Sequence, residues 1–304
     1  MLSVLLSSHN GGDDLKRMLD GLTRLREPRG GWRLIAVDNA STDDTGDIMR
    51  SYADRLPITV LHEPTPGKNR ALNRALEAAE GDLYVFTDDD VVVGEDWLQQ
   101  WREVADAQPD FAVFAGRTVP LWPYDPPQDL LTGVETGVLY AQHEDFIKEG
   151  PCEPWDVFGT NMAVRAFIFR NGVRFSVDIG PDGTPNYPMG SDTELSRRLH
   201  SDGFKCWFAS GPLVRHIVPP AHLEPSWILR RGYRWGRGLA RMGFPFHCSP
   251  DVLGRKNILK ALVYPLLLPI LPKQERWRRQ WQFMVDRGYE DGTRDKLGRR
   301  PRWA

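Results

Sequence analysis

Gly81-Asp82-Leu83-Tyr84-Val85-Phe86-Thr87-Asp88-Asp89-Asp90 is the stretch on which the reading of this chain turns. Leu83 to Phe86 is a short apolar run behind a Gly-Asp turn, the pattern of a strand buried on both faces of an α/β sheet. Three carboxylates follow at its C-terminal end. Adjacent aspartates repel one another and gain nothing from burial alone, so a positive partner is expected beside them. A divalent cation suits them, because hard cations prefer carboxylate oxygens and share their other positions with substrate phosphates. The alternative is a solvated acidic turn, and the triplet alone does not choose between the two.

The flanking sequence does. Ser3 to Ser8 forms a first strand, left by the loop His9-Asn10-Gly11-Gly12, and Leu15, Met18, Leu19 and Leu22 recur at helical spacing. Trp32 to Val37 is a second strand ending in Asp38-Asn39-Ala40-Ser41-Thr42-Asp43-Asp44, where Ser, Thr and Asp are helix-start residues for Ile48, Met49 and Tyr52. Ile58 to Leu61 is a third strand, and Lys68 opens a helix carrying Ala71, Leu72, Ala75 and Leu76. After the strand at 83–86 come a helix over 95–105 and a strand at 111–115. This alternation predicts an α/β fold with a mostly parallel sheet. Ligands of such sheets lie beyond the C-terminal strand ends, where Ser8, Asp38 and Asp88 to Asp90 all fall.

Bulk properties bound the reading. The 304 residues suit one large domain, or one with an appendage, and the 41% apolar and 26% charged fractions are those of an ordinary soluble protein. A net charge of −2 gives no reason to expect nucleic acid as a partner. The three cysteines, Cys152, Cys206 and Cys248, are far apart in sequence and form no CxxC pair, which argues against a disulfide framework or a zinc site and fits a reducing cytosol. A strand beginning almost at Met1 leaves no room for a signal peptide, so a cytoplasmic location is expected.

No GxGxxG follows the first strand, and Gly67-Lys68-Asn69 is not a P-loop, because His62 and Asn69 occupy its first glycine and Ser/Thr positions. An aspartyl-phosphate phosphatase would use Asp88 as nucleophile, but this chain lacks the small Gly-Thr turn expected after it, and Asp38 and Lys68 go unexplained. The order of motifs instead resembles the family-2 inverting glycosyltransferases of the GT-A fold. The resemblance covers residues 3 to about 240 and rests on Val4 to Asn10, Val37-Asp38-Asn39-x-Ser41-x-Asp43, Gly67-Lys68-x-x-Ala71-Leu72-Asn73 and the aspartate triplet in place of Asp-x-Asp.

That resemblance implies a nucleoside-diphosphate sugar as donor and Mn2+ or Mg2+ as cofactor. It implies that Asp38 binds the base, that Asp88 lies near the ribose and that Asp90 binds the metal. Lys68, near a helix N-terminus, reads as a diphosphate contact. Ser8, Asn10 and Asp89 complete the donor-side candidates, with Asp89 facing away from its two neighbours along an extended chain. Asn73 reads as a structural amide.

From Arg117 the composition shifts to Pro and Trp, which reads as a long shaped loop carrying specificity. The Gly159-Thr160-Asn161 turn would line the donor sugar by resemblance. In Gly190-Ser191-Asp192-Thr193-Glu194, Ser191 and Glu194 have the spacing of a capping box, leaving Asp192 free to face the cleft. By resemblance Asp192 is the general base, although Ser191 stands where the family often has Glu. By the same resemblance His216 is a candidate second metal ligand. The basic helix over 226–241 contains Arg231-Gly232-Tyr233-Arg234-Trp235, similar to the Gln-x-x-Arg-Trp motif of processive synthases but with Arg for Gln, and it makes Arg234 a diphosphate or acceptor candidate.

The expected organisation is a nucleotide-sugar-binding half over 1–116, an acceptor and catalytic half over 117–245, and a helical appendage over 246–304. Ile258 to Leu271 is apolar but too short to span a bilayer, and Pro265 and Pro269 should break it. Residues 258–279 are therefore read as contacting a membrane interface, the core or a second subunit, as in a homodimer. The acceptor is read as a saccharide, a lipid-linked molecule or a small molecule. The competing functions are the phosphatase and a non-catalytic nucleotide-sugar-binding protein.

Overall fold

The computed structural model describes residues 1–245 and 250–303, so Cys248 lies outside the described residues. The chain divides into two compact units. The first comprises Met1–Leu121, Ala141–Val177 and Ser191–Ile217, and the second comprises Trp122–Tyr140, Asp178–Gly190 and Val218–Ala304.

In the first unit the order is β1 (Leu2–Ser8), α1 (Gly12–Leu22), β2 (Trp32–Asn39), α2 (Thr45–Arg50), β3 (Ile58–Glu63), α3 (Lys68–Ala78), β4 (Leu83–Thr87), β5 (Val91–Val93), α4 (Trp97–Ala107) and β6 (Val113–Leu121). After α5 (Gln128–Leu131) and α6 (Thr136–Tyr140), which belong to the second unit, the first resumes with β7 (Gly150–Cys152), β8 (Asn161–Arg165) and α7 (Ala166–Arg170). It closes with α8 (Ser191–Ser201) and β9 (Cys206–Ile217).

The sheet order is β3-β2-β1-β4-β8-β6-β9-β5, with β7 also on β9. β1 to β4 are parallel, as the alternation of elements requires. The fifth predicted strand, β6, does not lie beside β4. Antiparallel β8 is inserted between them, so β6 runs in the direction of β4 but one strand further out. Two features were not foreseen. β5 is only three residues long, and β9 runs as one continuous strand from Cys206 to Ile217.

The sheet is covered on both faces, which is why β1 is buried along its whole length. Val4 and Leu6 pack with Leu15, Met18 and Leu19 of α1 and Trp97 and Trp101 of α4. Leu5, Ile35 and Val37 pack with Ala71, Leu72 and Ala75 of α3 and Leu195 and Leu199 of α8. At the β7–β9 pairing Cys152 lies directly opposite Cys206, although 54 residues separate them in sequence. Both thiols are free. Burial, then Cys206 and the nearby Asp156 and Glu153, pushes the Cys152 thiol far up, and burial, then Glu153 and Asp156, pushes Cys206 up to about 12, so neither is a ready nucleophile at neutral pH.

The second unit is built on α9 (Pro225–Met242), α10 (Pro250–Leu267) and α11 (Lys273–Lys296). Its core gathers Leu139, Tyr140, Ile228, Trp277, Trp281 and Val285. α9 and α11 approach closely at glycines: a Cβ on Gly236 would overlap the Val285 carbonyl oxygen, and one on Gly288 would overlap that of Tyr233. Pro265 does not break the apolar segment as expected but lies inside α10, while Pro269 falls in the 3-10 turn Leu268–Ile270. Pro265 is in the last turn of the helix, where its missing N–H removes a single intrahelical bond.

Candidate active site

β1, β2 and β4 end side by side, with Ser8 level with Asp38 and Leu6 level with Thr87. The aspartate triplet leaves β4 at that shared edge, and each carboxylate finds a different partner. Asp88 accepts from the Lys68 ammonium on one oxygen and from Thr160 Oγ1, at 3.1 Å, on the other. Burial would by itself lower the Lys68 pKa, but Asp88, with Asp192 and Asp90 beyond it, reverses this and raises it. Asp89 accepts from the Ser8 hydroxyl. Its burial and the nearby charges of Asp90 and Asp88 push its carboxyl up to about 7.

Asp90 turns the third way. Its Oδ2 lies 3.3 Å from His216 Nε2, a neighbour supplied by the antiparallel pairing that sets Val91 level with His216. Burial would raise the Asp90 pKa, yet His216, then Lys68, hold it below the usual carboxylate range. The other oxygen, Oδ1, is buried and has no hydrogen-bond partner among the described residues. An unmatched buried oxygen of this kind costs about 1–3 kcal/mol. A cation on that oxygen would remove the cost, so the residues present fit a metal. Oxygen with imidazole suits manganese, and oxygen alone suits magnesium. Among the described residues no group of three or more His, Cys, Asp or Glu side chains is arranged to hold a metal unaided. A bound ion would take its remaining ligands from substrate or water.

The other sequence-predicted residues fall as follows. Asp38 accepts from the Ser41 N–H at 3.2 Å, and its second oxygen is 3.3 Å from His62 Nδ1. Asn10, at a φ of 54°, accepts from the Thr42 N–H at 2.8 Å and so braces the loop after β1 against the loop after β2. Ser41 and Thr42 do not start α2. Asp43 does that work by accepting from the Thr45 N–H and hydroxyl, at 3.0 and 2.6 Å. Asp192 lies in the first turn of α8, its Oδ2 held by the Gly159 N–H at 2.7 Å and its Oδ1 by the Thr193 N–H at 2.8 Å. The expected capping box does not form. Ser191 is itself the first helical residue, and Glu194 directs its carboxylate to Arg198 at 3.0 and 3.2 Å. Arg234 belongs to the second unit, where it donates to the Pro185 carbonyl at 2.8 Å and stacks on Tyr187.

With this geometry fixed, likeness to known proteins can be weighed. The sequence profile described as Glycosyl transferase family 2 matches residues 3–171, more than half of the chain. The chain belongs to glycosyl transferase family 2. Membership sets aside the aspartyl-phosphate alternative. Among relatives of this family-2 chain, glycosyltransferase AglE of Haloferax volcanii is 23% identical over 283 residues, covering 92% of this chain and 84% of that protein. The poly(ribitol-phosphate) beta-glucosyltransferase of Bacillus spizizenii is 30% identical over 105 residues, 33% of this chain, and the match spans only 16% of that longer protein.

Solved structures share the GT-A arrangement of this family-2 chain. Mannosyltransferase PcManGT from Pyrobaculum calidifontis, in complex with GDP-Man and Mn2+, superposes with a TM-score of 0.62 at 18% identity, covering 97% of this chain and 87% of that one. Residues 1–349 of Staphylococcus aureus TarS give a TM-score of 0.56 at 15% identity, covering 99% and 93%.

One residue that builds the site, Asn39, was not among the sequence candidates. Asn39 is buried and accepts from the Gly67 N–H at 2.9 Å while donating to the Thr65 carbonyl at 2.8 Å, which delivers Lys68 to Asp88. In the Gly159-Thr160-Asn161 turn, which the resemblance set along the donor sugar, Thr160 reaches Asp88, whereas Asn161 is fully buried, donates to the Arg117 and Pro212 carbonyls and accepts from the Trp97 indole. Asn73 is structural as expected, exchanging two hydrogen bonds of 2.9 Å with the Phe175 backbone. Only the position of Asn39 directly after Asp38, inside a motif, could have drawn attention to it.

Proposed function

We propose that the chain moves one sugar from a nucleoside diphosphate to an acceptor hydroxyl with inversion at the anomeric carbon. The observation that carries this reading is the convergence of Asp88, Asp90, Lys68 and Asp192 in one unit around the ends of β1, β2 and β4. Residues 1–116 hold the donor and residues 117–245 supply the acceptor side and the base.

Asp38 receives the base or ribose, with His62 beside it. Lys68 and the uncapped N-terminus of α3 stand ready for the diphosphate, since free N–H groups there favour anions. Asp90 and His216 would hold Mn2+, or Asp90 would hold Mg2+. The bound cation supplies Lewis-acid stabilisation to the departing nucleoside diphosphate. Asp192 takes the acceptor proton as the new bond forms to the anomeric carbon and the bond to the diphosphate breaks. Its two backbone donors fix the carboxylate without occupying all its lone pairs. The complex of PcManGT with GDP-Man and Mn2+ supports a nucleotide sugar and a divalent ion as a working pair.

Thermal stabilisation by UDP, GDP, dTDP and CMP, each with and without Mn2+, tests the donor half, because a ligand of the native state must raise its melting temperature. One nucleotide should stabilise strongly only with metal. Asp192→Asn should keep that shift and lose about 10²–10⁴-fold in turnover. Donor binding without turnover by the unmodified protein, across a broad acceptor panel, would favour the non-catalytic binding protein. No shift with any nucleotide would refute the donor site.

A further inference from the structure

The C-terminal part of the second unit carries two features that the transferase chemistry does not use. The first is an apolar stripe along α10. Ile258, Leu259, Leu262 and Leu266 recur at helical spacing and are all exposed, and the stripe continues to Ile270 in the following turn. Leu262 is 69% exposed, and Leu266 and Ile270 are each 77% exposed. A contiguous run of large aliphatic side chains facing outward marks a contact surface.

The second feature adjoins the stripe. A cleft of about 450 Å³ opens between α10, α11 and the segment after α11, lined by Arg255, Arg294, Arg299 and Arg302 together with Ile258 and Leu297. Its one acidic lining residue, the buried Glu290, is already paired with Arg302 at 2.6 Å and accepts from Asn257 and the Trp303 indole. The guanidinium groups of Arg255 and Arg299 have no side-chain partner among the described residues, and Arg294 donates only to the Arg300 carbonyl. Arg302 and Trp303 donate their N–H groups to Asp291, so the wall of the cleft is tied down rather than loose. Positive charge is concentrated in this part of the chain. Residues 250–304 contain 13 Lys and Arg against 6 Asp and Glu, whereas the whole chain is at −2.

We infer that this surface docks the protein on an anionic lipid bilayer, with the α10 stripe lying in the interface and headgroup phosphates in the arginine cleft. Charge selects this occupant over the others. A second copy would bring a like-charged cleft to its own partner, and a soluble anion would leave the leucine stripe in water. No helix among the described residues is long and apolar enough to cross a membrane, so the attachment is to one face of the bilayer.

The test uses the full chain with phosphatidylcholine vesicles, with and without phosphatidylglycerol, in a co-sedimentation assay. Binding should require phosphatidylglycerol and weaken as salt is raised. Leu262→Ser with Leu266→Ser should lower partitioning at least about a hundredfold, since each leucine forfeits its burial. Arg255→Gln with Arg299→Gln should lower it roughly thirtyfold, several-fold for each charge near an anionic surface. All four side chains are exposed, so thermal melting should be unchanged and loss of fold would not confuse the result.

Absence of binding to anionic vesicles at low salt would overturn the proposal. So would binding that neither pair of substitutions alters. A dimer that dissociates on the leucine substitutions, seen by sedimentation velocity, would assign the stripe to a second copy instead. Saturable binding of inorganic phosphate in the cleft, with vesicles ignored, would assign the cleft to a soluble anion.

Discussion

Gly236→Ala puts the packing of α9 on α11 to a quantitative test. The added methyl would overlap the Val285 carbonyl oxygen and come within 2.8 Å of the Tyr289 nitrogen. Both obstacles are backbone atoms, so no side-chain rotation can make room and the helices must part by about 1 Å. A gap of that size forfeits a quarter to a half of the dispersion attraction across it, felt here by Trp281, Val285 and Tyr289. Overpacking at an unyielding site costs about 3 kcal/mol, and the better helix propensity of alanine returns about 1 kcal/mol. The net loss should be about 2 kcal/mol. Hydrogen exchange read on α9 and α11 peptides should accelerate roughly thirtyfold, while β1 to β4 are unaffected. The companion substitution Gly21→Ala in α1 meets only Val93 Cγ2, at 3.5 Å, and should stabilise by up to about 1 kcal/mol. A Gly236→Ala protein as well protected as the parent would refute the account of glycine-mediated contact.

Three other tests bear on the first unit. His143 is 2% exposed, accepts from the Thr118 N–H on Nδ1 and donates from Nε2 to the Asp156 carbonyl, and burial pulls its pKa down to about 4. Its folded pKa is below the unfolded value of about 6.5, so its contribution is intact above pH ~6.5 and is lost as pH falls towards ~4, amounting to about 3 kcal/mol. Between pH 7 and 5 the parent should lose about 2 kcal/mol more stability than His143→Asn, and parallel urea profiles would contradict this. Asn161→Leu strands the Arg117 and Pro212 carbonyls and the Trp97 indole, and should cost about 3–5 kcal/mol in urea unfolding. Lys68→Met leaves the Asp88 carboxylate without its cation and should cost about 2 kcal/mol, a loss that Asp88→Asn in the same chain largely restores.

The inner sheet was legible because its information is local. Val4 to Ser8, Trp32 to Val37 and Leu83 to Phe86 are apolar runs long enough to be strands, and the polar residues that end them mark the site edge. What the sequence could not show depends on pairing across long separations. Asp90 and His216 were joined only through the family resemblance, because nothing near Asp90 announces the histidine and it is the register of β5 on β9 that brings the two together. The insertion of β8 is equally silent, since an antiparallel strand reads no differently from a parallel one when both faces are buried. The Ser-x-x-Glu spacing at Ser191 misled because Arg198, one turn on, competes successfully for Glu194.

The position of β9 also sets the order in which the protein can be made. Asp90 and His216 are 126 residues apart, and one edge of β6 and all of β5 have no strand partner until Cys206–Ile217 has been synthesised. During translation the β1 to β4 sheet can form first, from sequential crossovers, while the outer strands wait with open edges that invite wrong pairing. Such distant contacts make for slow closure. The carboxylate that fits a metal is therefore completed only once residue 216 has been made, so a shorter nascent or truncated chain can have the β1 to β4 sheet and no Asp90–His216 pair.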